Sequence, residues 1–176
     1  GTYIVTVTDA NMCTETIEIE VTEPTILTTS ISGNDASCFG DANGNSTVVP
    51  DGGTLDYTYL WSDGSNQSTA TANGLVAQAT PYFVTVIDGN GCTVVDQITI
   101  GSPTELTLSV AGIDVDCFEG NSGSASATAS GGVSSFTYLW NDGNAQTTQF
   151  ANGLTANNYS VTVTDNNGCT IVESVE

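Results

Sequence analysis

One pair of strands is written three times along this chain. Tyr3-Ile-Val5-Thr-Val7-Thr-Asp9-Ala-Asn11-Met-Cys13 recurs as Tyr82-Phe-Val84-Thr-Val86-Ile-Asp88-Gly-Asn90-Gly-Cys92. It returns as Tyr159-Ser-Val161-Thr-Val163-Thr-Asp165-Asn-Asn167-Gly-Cys169, at offsets of 79 and then 77 residues. Tyr57-Thr-Tyr59-Leu-Trp61-Ser-Asp63-Gly64 matches Phe136-Thr-Tyr138-Leu-Trp140-Asn-Asp142-Gly143, and Cys38-Phe39 matches Cys117-Phe118, both at 79. The two-residue difference lies between Leu75 and Tyr82, whose counterparts Leu154 and Tyr159 stand closer together. A period of this length is one small domain, so each unit must bury a core of its own. The divisions are 1–24, the closing strands of a preceding unit; 25–103, a whole unit; and 104–176, a nearly complete one.

Within the whole unit the pattern predicts strands at 26–32, 45–50, 57–62, 82–88 and 92–100, with a weaker one at 67–72. Asp63-Gly64 reads as a hairpin turn after the third strand. Tyr82, Val84 and Val86 share one face; Ile17, Ile19 and Val21 are expected to face inward, with Glu18 and Glu20 outward. No stretch has helical periodicity. Short alternating strands separated by turns every 8–12 residues predict tandem immunoglobulin-like β-sandwiches, all-β and antiparallel. Tyr82 and Tyr159, following Leu75 and Leu154, fit the tyrosine corner of such sandwiches. Trp61 and Trp140 are read as core residues of the third strand rather than as platforms for stacking sugars.

The polarity comes from Thr, Ser, Asn and Gly, because the chain holds 20 Asp plus Glu and no Lys, Arg or His. Recognition of a phosphate backbone requires cationic side chains, so no nucleic-acid partner is expected. A formal charge of −20 is repelled by an anionic membrane surface. Histidine bases, histidine metal ligands and lysine Schiff bases are absent from the repertoire. With 39% hydrophobic residues the chain is nevertheless not a disordered acidic tail. No signal peptide, lipidation motif or apolar run long enough to span a bilayer is legible, and the sequence reads as an excerpt of something longer.

Read in order, the unit runs Cys-Phe-x-Gly/Asp, Tyr-x-Tyr-x-Trp-x-Asp-Gly, Asn-Gly-Leu, then Tyr-x-Val-x-Val-x-Asp-x-Asn-Gly-Cys-Thr. This order resembles the SprB repeats of the large surface adhesins of gliding Bacteroidetes and is similar, more distantly, to PKD domains. Met12 stands where the motif has Gly. The resemblance implies secretion by the type IX system, an extracellular location attached at the outer membrane, and a part in adhesion and gliding motility. The partners it implies are the outer-membrane gliding and secretion machinery at the base of the parent protein. Surface polysaccharide or substratum would be bound through other regions, and adjacent repeats of the same chain would be the immediate neighbours.

Five cysteines fall at two places per unit: Cys38 and Cys117 after the first strand, and Cys13, Cys92 and Cys169 opening the last. Such regular placement in a secreted chain argues for disulfides. In an immunoglobulin-like unit Cys38 lies at the downstream pole, roughly 40 Å along from Ile26, while Cys92 opens the last strand at the upstream pole. A bridge needs Cα atoms within about 7 Å, so Cys38–Cys169 across the joint is the favoured pair. Cys13, Cys92 and Cys117 would then lack partners in this sequence. Two other schemes stay open: Cys38–Cys92 with Cys117–Cys169 inside units, and Cys13–Cys38 with Cys92–Cys117 across hairpin-like junctions.

The joints, Val-Thr-Glu-Pro24-Thr-Ile and Gly-Ser-Pro103-Thr-Glu-Leu, are short and proline-restricted, which predicts units stacked end to end as a rod. Asp41, Asp63 and Asp88 are candidate calcium ligands, but their loops match no calcium pattern and Asp, Asn and Gly are what tight turns need, so no cofactor is expected. Three Asn-x-Ser/Thr triplets, at Asn45, Asn66 and Asn158, are a chance yield of this composition. The sequence therefore reads as a non-enzymatic stalk segment of a large secreted surface adhesin. The rival reading is a glycan- or protein-binding accessory module of a secreted multidomain protein. Catalysis by carboxylates alone is disfavoured, since the acids have no counterpart in each unit.

Overall fold

The computed structural model describes residues 1–176, all as strands, turns and loops without a helix. A first hairpin joins β1 (Thr2–Thr8) to β2 (Thr14–Glu20). Next come β3 (Thr28–Asn34), β4 (Gly44–Asp51), β5 (Thr58–Trp61), β6 (Thr71–Leu75), β7 (Tyr82–Ile87) and β8 (Thr93–Ile98). The same six follow as β9 (Thr107–Ile113), β10 (Gly123–Ser130), β11 (Thr137–Trp140), β12 (Phe150–Leu154), β13 (Tyr159–Thr164) and β14 (Thr170–Val175). Residues 104–176 thus hold all six strands of a unit.

Each six-strand set forms two antiparallel sheets, β3-β4-β6 facing β5-β7-β8 and β9-β10-β12 facing β11-β13-β14. Counted as A, B, C, E, F and G, the strands take the A-B-E and C-F-G arrangement of an immunoglobulin constant-type sandwich without strand D. The edge strands β3 and β8, and likewise β9 and β14, come together along one side. The repeat in sequence is a repeat in register: Tyr3 pairs Ile19, Tyr82 pairs Ile98 and Tyr159 pairs Val175.

The alternation of the strands delivers two separate cores. Val48, Trp61, Ala72, Leu75, Tyr82, Val84, Val86 and Ile100 fill the first. Ala125, Ala127, Trp140, Ala151, Leu154, Val161 and Val163 fill the second. Both tryptophans are 1% exposed. A buried indole N–H needs an acceptor, and Trp61 Nε1 donates to Thr69 O at 2.9 Å while Trp140 Nε1 donates to Thr148 O at 3.0 Å. The tyrosine corners close as expected, with Tyr82 Oη donating to Val76 O at 3.0 Å and Tyr159 Oη to Thr155 O at 3.1 Å.

Three expectations need correction. The fourth strand begins at Thr71, not at 67, because residues 67–70 are held as a loop under the tryptophan. Trp61 N–H donates to Gln67 O, and the Gln67 side chain bonds both Asn73 N–H and Asn73 O, standing in for a strand neighbour. Asp63-Gly64 is not a hairpin turn. β5 pairs with β7 and β6 with β4, so this turn carries the chain between sheets. Finally, Ile17, Ile19 and Val21 do not face a core. Like Tyr3, Val5 and Val7 they are more than half exposed, because β1 and β2 have no second sheet across from them.

Candidate functional site

The two sandwiches meet at a joint that the sequence builds from three short segments. The first is the loop between β3 and β4. Asp41 N–H donates back to Cys38 O at 3.2 Å, and Gly40 turns the chain at a φ of +79°. Ser37 N–H donates to Asn43 Oδ1 at 2.9 Å, and Asn43 Nδ2 donates to Asp41 Oδ2 at 3.2 Å. A short side-chain network therefore holds Cys38 at the crest of the loop, half-buried.

The second segment is the turn between β13 and β14. Asp165 Oδ1 accepts from Asn167 N–H and Cys169 N–H, both at 2.9 Å, while Oδ2 accepts from Val133 N–H at 2.8 Å. Three N–H donors on one carboxylate favour its charged form. The Val133 N–H leads in holding the Asp165 carboxyl below the usual carboxylate range, against the opposing effect of burial. Asp88 is held down in the same way, led by Thr54 N–H at 2.9 Å. Gly53 and Gly132 precede those donors at φ of +64° and +56°, and a Cβ on either would come within 2.7 Å of the carboxylate. For Asp63 and Asp142 burial pushes the carboxyl upward, but hydrogen bonds from Gln67 and Gln146 outweigh it and lower both.

The third segment is the linker, and little of it is free. Ile100 is 1% exposed in the first core. Gly101 N–H donates to Asp35 Oδ1 at 2.8 Å and Gly101 O accepts from Ala36 N–H at 2.9 Å. On the far side Thr104 O accepts from Gly132 N–H at 3.0 Å. Only Ser102 and Pro103 lie between residues fixed by one sandwich and residues fixed by the other, and the proline ring sets φ at the second.

These segments bring Cys38 and Cys169 together as a disulfide with a Cα–Cα separation of 5.8 Å. Asn167 Nδ2 adds a hydrogen bond to Ser37 O at 2.9 Å. The Cys169 sulfur also lies 3.5 Å from that oxygen, but as an oxidised sulfur it has no proton to donate. In the first sandwich the counterpart Asn90 instead reaches Thr54 Oγ1 of its own unit at 2.8 Å. Cys13, Cys92 and Cys117 are exposed free thiols. Beside the disulfide, Phe39, Pro103 and Leu106 line a seam of 380 Å³. Pro24, at the first joint, is exposed, and no hydrogen bond ties the β1–β2 hairpin to the sandwich after it.

The structure leaves the three candidate calcium ligands on separate loops. Asp41 bonds Asn43, Asp63 bonds Gln67, and the Asp88 carboxylate accepts from Thr54, Asn90 and Cys92 backbone N–H groups. No three Cys, Asp or Glu side chains are grouped so as to hold a metal ion. No role at the joint was legible in the sequence for Asp35, Asn43, Asn167 or Ile100, although Asn167 stands in the repeated motif and Asn43 in the loop of Asp41. Their signal was faint: polar loop residues and one more aliphatic residue past the end of a strand.

The family model for the SprB repeat matches at residues 30–66 and 113–145, from within β3 and β9 to the turns after β5 and β11. No curated protein matches the chain. Among solved structures the chain is similar to the amphioxus IgVJ-C2 molecule, at a TM-score of 0.32 and 13% identity, covering 84% of this chain and 94% of that one.

Proposed function

We propose that this chain, which carries two SprB repeats in adjoining sandwiches, is a load-bearing stalk segment of a cell-surface adhesin. The repeat family points to a cell-surface adhesin-type segment; the stalk role, and through it gliding motility and surface attachment, is our reading. On this view 1–24 is the closing hairpin of a further unit, and units stack end to end as a rod held from the outer membrane. The work is mechanical and non-enzymatic, and adhesion itself belongs to other regions.

One observation carries the reading: successive sandwiches are joined by a two-residue gap, Ser102-Pro103, and a disulfide beside it. A glycan-binding module needs exposed aromatic platforms, whereas here both tryptophans are core. Small-angle X-ray scattering on residues 25–176 tests the stalk directly. Oxidised protein should give one narrow distance distribution with a maximum dimension of two sandwiches end to end. A broad distribution unaffected by reductant, like that of flexibly tethered beads, would refute it.

A further inference from the structure

Both residues of the Cys38–Cys169 bond line the seam of 380 Å³ between the sandwiches, and both are only half-buried, so a small molecule can reach the sulfurs. Two carboxylates, those of Asp41 and Glu105, line the same seam. Asp41 is fixed by the loop that carries Cys38: its N–H donates to Cys38 O, and its Oδ2 accepts from Asn43 Nδ2, both at 3.2 Å. Glu105 reaches the seam from the linker side and is exposed. Next to Cys169, Asp165 Oδ1 accepts the Cys169 N–H at 2.9 Å, adding a third negative group. The fold does not demand either seam acid, since at the repeat offset of 79 Glu105 corresponds to Ile26 and Asp41 to Gly120. No Lys, Arg or His is present to offset them. Cysteines that exchange readily sit in electropositive surroundings, which favour both the attacking and the departing thiolate. The surroundings of this disulfide have the opposite sign.

We infer that this seam is the entry site for small thiols that exchange with Cys38–Cys169, and that Asp41 and Glu105 make it select them by charge, admitting cationic thiols and turning anionic ones away. Exchange starts when a thiolate attacks one sulfur of the bond. A new S–S bond forms to the reagent, the Cys38–Cys169 bond breaks, and its electron pair leaves on the other cysteine, which takes a proton from water. A second thiolate then attacks the mixed disulfide and releases the reagent as its own disulfide, so two reagent thiols are oxidised and one cystine is reduced. Every reagent brings the negative sulfur; they differ in the charge on the rest of the molecule. An ammonium group enters the seam attracted to the two carboxylates, and a carboxylate group is repelled by them. The joint therefore holds its bond against anionic reductants and yields it to cationic ones. The inference concerns the disulfide alone and holds whether or not the chain is a stalk.

The test uses the 176-residue chain, with the exposed thiols of Cys13, Cys92 and Cys117 first capped by iodoacetamide so that only the disulfide can react. Its reduction is timed by mass spectrometry with three thiols of nearly equal size: cysteamine, 2-mercaptoethanol and 3-mercaptopropionate. Each rate is divided by the rate of the same thiol on a small uncharged disulfide, which removes differences in thiolate fraction and nucleophilicity. At about 10 mM salt the corrected rates should fall roughly 3- to 10-fold at each step from cysteamine to mercaptoethanol to mercaptopropionate, and they should converge at about 1 M salt. Asp41→Asn/Glu105→Gln should flatten the series, and Glu105→Gln alone, at a position where the first unit carries Ile26, should flatten it in part. Glu18→Gln/Glu20→Gln, on the first hairpin, should leave it as steep as before. Corrected rates that do not depend on the charge of the thiol would overturn the inference. So would a series that stays steep in Asp41→Asn/Glu105→Gln, or one that Glu18→Gln/Glu20→Gln flattens equally, because the selection would then come from the net charge of the chain and not from the seam.

Discussion

Pulled from its two ends, the oxidised chain should refuse to lengthen by most of its own contour. The bond between Cys38 and Cys169 closes a loop of 131 residues. Tension arriving at Cys38 crosses to Cys169 through the sulfurs and bypasses everything between, including both cores. Only the residues outside the loop can be drawn out. A chain extends by at most about 3.3–3.6 Å per residue, so opening the bond should release roughly 430–470 Å of hidden length. Single-molecule force spectroscopy with handles attached enzymatically at the termini measures this directly. Oxidised molecules should extend by the short outer segments and then stiffen. With reductant, or in a Cys38→Ser/Cys169→Ser variant, two unfolding steps should appear, one per core, summing to the released length. Two full unfolding steps in the oxidised chain would refute the argument, because they require that the loop is not closed. A single step after reduction would separately refute the independence of the two cores.

The same bond should dominate thermal stability. When the second sandwich unfolds alone, the closed loop runs the 66 residues from Pro103 to Cys169, and loop-closure entropy puts the stabilisation at about 4 kcal/mol. For a domain of this size that is a fall of roughly 15–30 °C on reduction; calorimetry showing less than about 5 °C would contradict it. The lowered carboxyl groups of Asp63, Asp88, Asp142 and Asp165 stabilise the fold at pH values above their unfolded 3.8 and cease to do so as pH falls toward their lower folded values. The melting difference between the native chain and Asp88→Asn/Asp165→Asn should therefore be full at pH 6 and shrink below pH 4; a difference that grows on acidification would reverse the sign of this reasoning. Added salt should raise the melting temperature at pH 7, since it screens the mutual repulsion of a chain at −20. Chelator should leave the melting curve unchanged, because the candidate ligand carboxylates already hold protein donors; a fall would assign them a cation.

The sequence carried the repeat, the sandwich and both tryptophans because each rests on a strong local signal: alternation, a period, and a large apolar residue on a strand facing a core. The two poles were less legible. Gln67 and Gln146 look like ordinary loop glutamines, yet their amides replace strand neighbours and delay the fourth strand to Thr71 and Phe150. That substitution of side chain for backbone has no periodic signature. Asp63-Gly64 misled because the dipeptide specifies a tight reversal but not which strand the chain meets afterward. Ile100 was counted as the end of a strand; its burial depends on Gly44 and Leu75, more than twenty residues away. The inward face assigned to Ile17 and Ile19 follows the correct alternation, but alternation fixes the side of a strand and not the presence of a sheet opposite it.

The joint makes a stronger claim on the disulfide than either sandwich does. Each core is closed by its own tryptophan, tyrosine corner and aspartate-held turn, and takes no core side chain from its neighbour. Across the joint the non-covalent attachment is thin. One hydrogen bond, Asn167 to Ser37, crosses it; the seam beside it is open to 380 Å³; and Phe39, the large apolar residue nearest the bond, is still 58% exposed. Ion pairs, the usual way to fix polar surfaces face to face, are unavailable where no side chain is cationic. Both faces are instead negative and repel. The Ser102-Pro103 gap limits how far the sandwiches can separate but leaves rotation about Ser102. Cys38–Cys169 adds a second point of attachment off that axis, and two attachments fix an orientation that one cannot. The redox state of this pair, more than the packing of either core, therefore decides whether the two sandwiches move as one body.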